Sequence, residues 1–146
     1  MTIETKELGF VEIENQDIIK FPHAIYGFEN AKNFVLLKDT QKESNPFMWL
    51  QCVDAKEPCF AVIDPYSIFN DYAPQPSIEA LQSISLKTEE FLRYLVIATV
   101  PEQVKDLYVN LKCPVVINSE DNIAMQVILE NSDYNMRYYL FKNVEG

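Results

Sequence analysis

Apolar residues in this chain come in short runs, and almost every run is stopped within eight residues by proline or by a polar cluster. Runs of this length, rich in β-branched and aromatic residues and bounded by turn formers, predict strands rather than helices. Residues 2–5 and 10–13 flank Leu8-Gly9 and predict a first hairpin. Residues 18–21 follow and are halted by Pro22, which cannot donate to a sheet ladder. Residues 34–37, 47–53 and 59–63 are further strands, separated by connections over 38–46 and 54–58. The most apolar run, YLVIATV at 94–100, is expected to be a central buried strand ended by Pro101. Residues 106–111, 114–117 and 123–129 complete the set. NSEDN at 118–122 is a turn by composition, so the last two runs should pair as a hairpin.

The middle of the chain differs. Residues 64–76 hold three prolines with Tyr66, Phe69 and Tyr72, a composition that predicts an irregular ordered loop. Ser77 can cap a short helix over 78–83, with Ile78, Leu81 and Ile84 at helical spacing. Thr88-Glu89-Glu90 suits the acidic start of another helical turn. The expected fold is mainly β: a compact antiparallel barrel of about ten short strands with one or two short helices. No repeat, linker or low-complexity tract divides residues 1–146, so a single domain is expected.

A chain of 146 residues with 48% hydrophobic content has enough apolar surface for one real core. No run approaches the roughly 18 apolar residues of a membrane span. The start, MTIETKELG, is too polar for a secretory signal, so the expected residence is cytoplasmic. Cys52, Cys59 and Cys113 are odd in number, form no CxxC and sit in or beside apolar stretches, where free cysteine acts as a small hydrophobe. Twelve basic against 22 acidic residues give a formal charge of −10. Such a surface repels phosphate backbones, disfavours direct nucleic-acid binding and would attract a basic partner. Solubility alone is the plainer account of the same charge.

Catalytic templates fail mostly by absence. Three glycines, Gly9, Gly27 and Gly146, cannot write GxGxxG or a P-loop. One histidine excludes a multi-histidine metal site, and His23, beside Phe21 and Phe28, is expected to be packed or hydrogen-bonded in its loop. Carboxylate pairs such as Asp64 with Asp71, or Glu130 with Asp133, could do acid–base work in a small hydrolytic or ligand-binding barrel if they met face to face. No motif supports that alternative. NSEDN lacks the glycine and terminal glutamate of a calcium loop. The expectation is a protein that is not an enzyme and needs no cofactor or metal.

QVILENSDY at 126–134 points elsewhere. It runs from apolar Val127, Ile128 and Leu129 straight into Glu130, Asn131, Ser132, Asp133 and Tyr134, as if a buried strand ended in a displayed surface. Nine Phe, eight Tyr and one Trp exceed what one small core needs. Phe69 and Tyr72, with Asp71 between them in the proline-rich loop, suit interface anchors or a cover for the barrel mouth. Tyr134, Tyr138 and Tyr139 pose the same choice, and Arg137 could bridge to Asp133 or serve a partner. The residues expected to touch a partner are therefore Phe69, Asp71, Tyr72, Asn131, Asp133, Tyr134 and Arg137.

Several segments, taken in order, resemble the FliW family of flagellar assembly factors. FPHAIYGFE at 21–29 is similar to that family's Phe-Pro-His-Gly-Ile-Pro-Gly-Phe-Glu, with Ala24 for the usual glycine and Tyr26 for the usual proline. NPFMWLQ at 45–51, FAVIDP at 60–65, FNDY at 69–72, PVVIN at 114–118 and QVILENSDY follow in the family's order. The resemblance implies a protein, monomeric when free, that sequesters flagellin in the cytoplasm. When flagellin is secreted, it would bind the RNA-binding regulator CsrA away from its RNA site and relieve repression of flagellin mRNA.

Overall fold

The computed structural model describes residues 1–39 and 45–141, so part of the connection expected over 38–46 lies outside the described residues. The strands are β1 (Thr2–Glu4), β2 (Phe10–Glu12), β3 (Ile18–Lys20), β4 (Asn33–Leu37), β5 (Met48–Cys52), β6 (Cys59–Ile63), β7 (Leu92–Thr99), β8 (Tyr108–Val109), β9 (Val115–Asn118), β10 (Ile123–Gln126) and β11 (Tyr138–Tyr139). One helix, α1, spans Ile78–Ser83. β3 through β7 pair antiparallel in sequence order, β7 pairs with β9, and β9 with β10. β10 then meets β3 and closes a seven-stranded barrel.

The mainly β, antiparallel barrel is as expected, and its closing contact is the one parallel pairing among the described strands, the single bridge Ile123↔Lys20. β7 holds the centre, as its composition predicts. Its eight residues are long enough to pair with β6 on one edge and to take β9 and then β8 along the other. It starts two residues before Tyr94 and ends at Thr99. The hairpin of the last two runs is present, with Met125 opposite Val116 and Gln126 opposite Val115.

β1, β2, β3 and β5 fall one or two residues short of their expected runs, and two other strands fall short by more. Leu107, Val109 and Leu111 are buried in alternation, but only residues 108–109 find a ladder, because β7 ends there and a 3-10 turn occupies Val104–Asp106. β10 stops at Gln126, although the Val127 and Leu129 N–H groups still reach the carbonyls of Pro114 and Lys112 at 3.0 and 2.9 Å.

The barrel interior is filled by alternate strand residues, among them Ile19, Phe34, Leu50, Val62, Leu95, Val115, Ile117 and Ala124. The residues between them point outward into a second core. Ala61, Ile63, Val96, Ala98 and Val116 pack there beneath α1, the loop after β6 and the C-terminal segment. A strand buried on both faces reads as a continuous apolar run, which is why YLVIATV shows no alternation. A third, smaller core forms where the β1–β2 hairpin covers Val35 with Ile3 and Ile13.

Local chemistry sets the connections. Ser77 caps α1 by accepting the Ala80 N–H at 3.1 Å. Ala80 and Ile84 are buried, whereas Ile78, expected on the packed face, is 75% exposed, because the first residue of so short a helix points away from the barrel. Thr88 makes no side-chain cap, and the turn after it is a 3-10 turn at Glu89–Phe91. Gln51 is fully buried beneath the first hairpin, where its Oε1 accepts the Lys6 N–H and its Nε2 donates to backbone carbonyls at Cys52, Ala55 and Lys56. Removing that amide would strand several polar backbone groups away from water.

Candidate functional site

The proline-rich loop and the C-terminal segment meet over the outer face of β7. Pro65 opens a 3-10 turn, Pro65–Ser67, that Asp64 caps by accepting the Tyr66 N–H at 2.9 Å. The turn delivers Phe69 and Tyr72 onto Tyr134 and Tyr138. Tyr72 lies 4.8 Å from Tyr134 between ring centroids, and Phe69 meets Tyr134 at 5.9 Å and Tyr138 at 5.8 Å, both near perpendicular. Tyr66 and Tyr94 extend the cluster at 5.9 and 6.5 Å from Tyr72. Edge-to-face contacts of this kind add stabilisation beyond area burial.

Tyrosine rather than phenylalanine suits this face, since loops offer carbonyls and N–H groups to bond. The Tyr72 hydroxyl donates to the Leu111 carbonyl at 2.6 Å, and the Tyr134 hydroxyl accepts the Ala73 N–H at 2.7 Å. Burial raises the Tyr72 pKa well above the usual phenol range, helped by the neighbouring Tyr134. Burial likewise pushes Tyr94 up to about 12, with Tyr66 and Glu89 adding to it. Of the two roles open to Tyr72, anchor or cover, its burial fits the cover: it is 3% exposed and holds the loop to the barrel. Phe69 and Tyr134 are half-buried and form the cluster's outer layer.

The segment after β10 divides two hollows. Val127 and Leu129 point into the outer core, but Ile128 is 46% exposed, so the apolar run is not buried throughout as expected. The turn that follows is closed by Ser132, whose N–H and hydroxyl both donate to the Leu129 carbonyl, at 3.2 and 2.8 Å. The Lys112 ammonium donates to the Ser132 carbonyl at 3.2 Å. Asn131 and Asp133 take no part in these bonds and are exposed. On one side a hollow of about 480 Å³ is lined by Tyr26, Glu79, Ile128, Glu130 and Asn131, among others. On the other a hollow of about 430 Å³ is lined by Phe69, Leu111, Ser132, Asp133, Tyr134 and Tyr138.

Five of the expected partner residues thus gather here: Phe69, Tyr72, Asn131, Asp133 and Tyr134. Asp71 is exposed on the loop beside them. Arg137 makes no ion pair with Asp133 and instead sets its guanidinium over the Tyr108 ring, 5.4 Å from the centroid. Lys112, Tyr66 and Tyr94 were not expected in the site. Tyr94 has a partial signal in the sequence, as the outward position two before Val96 in a run buried on both faces.

Little of this is arranged for chemistry. Asp64 is committed to its cap, and the described residues contain no group of three or more His, Cys, Asp or Glu able to hold a metal ion. His23 is exposed rather than packed. The three cysteines are free. Burial, assisted by Glu7, pushes the Cys59 thiol up to about 11, and burial raises Cys113, so neither is an activated nucleophile. The Tyr26 position is a local departure that gains a contact. It precedes Gly27, at φ +88°, in the turn closed by the Phe28 N–H on the Ile25 carbonyl, and its own N–H, which proline would lack, donates to Gln126 Oε1 at 3.2 Å.

The family model of the FliW protein matches residues 2–140. The flagellar assembly factor FliW of Caldicellulosiruptor saccharolyticus is 37% identical over 144 residues, covering 99% of this chain and 93% of that protein. Its counterpart in Natranaerobius thermophilus is 38% identical, covering 98% and 94%. A crystal structure of the flagellar assembly factor FliW superposes with a TM-score of 0.88 at 35% identity, covering 97% of each chain.

Proposed function

This chain belongs to the FliW family, and from that premise we propose that it is a flagellar assembly factor that binds two proteins in turn and catalyses nothing. It holds newly made flagellin in the cytoplasm as a monomer. Once flagellin is secreted, the freed factor binds CsrA away from the RNA site and lifts its repression of flagellin mRNA.

The observation that carries this reading is the outer face: half-buried Phe69, Tyr134 and Tyr138 at the edge of a hollow, rimmed by exposed Asp133 and Asn135. Aromatic anchors inside a polar rim are the usual anatomy of a protein–protein contact. The formal charge of −10 supports a basic partner, and an RNA-binding protein carries basic surface. No helix among the described residues is long and apolar enough to cross a membrane.

Size-exclusion chromatography of the purified chain with flagellin, and separately with CsrA, tests the proposal without added metal or cofactor. Each mixture should elute as a complex. The association rate with CsrA should fall as salt screens exposed charge, more than the dissociation rate rises. Failure of both partners to co-elute overturns it.

A further inference from the structure

The outer edge of β10 carries a feature that the aromatic face does not explain. Val127 and Leu129 turn their N–H groups toward the Pro114 and Lys112 carbonyls, so backbone alternation turns those of Gln126 and Ile128 to the opposite edge. β3 covers that edge only at its start, through the bridge Ile123↔Lys20, with the Lys20 N–H on the Asn122 carbonyl at 2.9 Å. Beyond this bridge the chain leaves β3 at Phe21; the Ile128 carbonyl accepts the Glu130 N–H at 3.1 Å, but no described residue accepts the Ile128 N–H. The edge opens into the hollow of about 480 Å³.

Two further properties of the hollow agree with each other. Its wall exposes Ile128 and Tyr26, at 46% and 59%. It is also lined by Glu79 and Glu130 and by no lysine or arginine. A strand edge with a free N–H at Ile128, apolar side chains alongside it and a wall whose charged residues are both acidic together match one kind of occupant. Strand addition draws affinity from main-chain hydrogen bonds and specificity from alternate side chains.

We propose that the Gln126–Ile128 edge is a strand-addition site for an extended, lysine- or arginine-bearing segment of a partner protein. The incoming strand continues the edge that β3 begins and bonds the Ile128 N–H. It lays an apolar side chain on Ile128 and Tyr26 and sets its cation beside Glu79 and Glu130. This goes beyond the function proposed above and needs neither flagellin nor CsrA to be the partner.

The probe is a fluorescent peptide of alternating lysine and valine, about eight residues long, roughly the length of a strand. Its controls are a glutamate–valine counterpart and the same lysine–valine peptide with alternate amides N-methylated. The full chain should bind the lysine–valine peptide, and exchange of the Ile128 amide, read by NMR, should slow at least severalfold. N-methylation should weaken binding by up to about tenfold, the size of lost backbone hydrogen bonds. Ile128→Pro, which deletes the N–H, and the exposed pair Glu79→Lys with Glu130→Lys should each weaken it similarly, with thermal melts confirming folding. If Ile128→Pro does not fold, the methylated peptide and the charge pair decide alone. Equal binding of the methylated peptide, no binding of the lysine–valine peptide, or an Ile128 amide whose exchange is unchanged at saturation overturns the proposal. Because no flagellar protein is used, failure here is separable from failure of the proposed function.

Discussion

The inside of the barrel and its outer face are built from the same strands but by different rules. Inside, Phe34, Leu50, Val62 and Val115 are fully buried, and their places follow from the period of two along β4, β5, β6 and β9. No tyrosine belongs to that cluster. Outside, the cover over β7 is made of Tyr66, Phe69, Tyr72, Tyr134 and Tyr138, delivered by loops and by the two-residue strand β11. Loops carry backbone polar groups that sheets would otherwise satisfy, and hydroxyl-bearing rings can pack and bond them at once. The interior therefore holds the shape, while the outer face holds the loops and leaves half-buried rings available to a partner.

The largest test of that division is Phe34→Ala against Phe69→Ala. Emptying the interior should cost roughly 3–5 kcal/mol of stability while the folded fraction binds both partners normally. Phe69→Ala should cost less stability, under about 2 kcal/mol, but about 2 kcal/mol or more of binding. Urea melts paired with calorimetric titrations read both, and equal stability losses would erase the distinction. Next comes Tyr72→Phe, which keeps the ring and leaves the buried Leu111 carbonyl without its donor; a loss of about 1–3 kcal/mol is expected in melts. Ser132→Ala removes the hydroxyl that closes the turn after Leu129 and should cost about 1 kcal/mol, whereas exposed Asp133→Ala should change stability by less than about 0.5 kcal/mol.

A smaller effect, because solvent screens a half-buried ring, is the pH dependence of the outer face. Burial favours the neutral phenol of Tyr94, so its folded pKa of about 12 lies above the ordinary value of about 10. The stability this contributes is whole below about pH 10 and is lost as pH climbs through about 12. Tyrosinate absorbance should therefore show a late-titrating set whose ionisation accompanies loss of the outer face. Titration of all tyrosines together near their ordinary pKa would remove this support for the cluster.

Legibility in the sequence followed the range of the interactions. β6 at Cys59–Ile63 and α1 at Ile78–Ser83 fall where residue pattern and the Ser77 cap put them, because both depend on neighbours in the chain. The parallel closure of β3 on β10 joins Lys20 to Ile123, and no local pattern announces a bridge across so much sequence. Tyr72 reads as a loop aromatic and is buried because its hydroxyl finds Leu111, far along the chain. Ile128 reads as part of a buried run and is exposed because β10 ends at Gln126, where β3 has already left its edge. The cluster of candidate residues was visible as an excess of aromatics in two segments; that those segments touch was not.

Hydrogen exchange of the chain, free and saturated with flagellin or with CsrA, tests the central claim that the outer face meets the partners. The account predicts that at least one partner slows exchange across residues 66–73 and 130–138 and leaves the β1–β2 hairpin unchanged. Protection confined to the hairpin, with both outer segments exchanging as in the free protein, would contradict it.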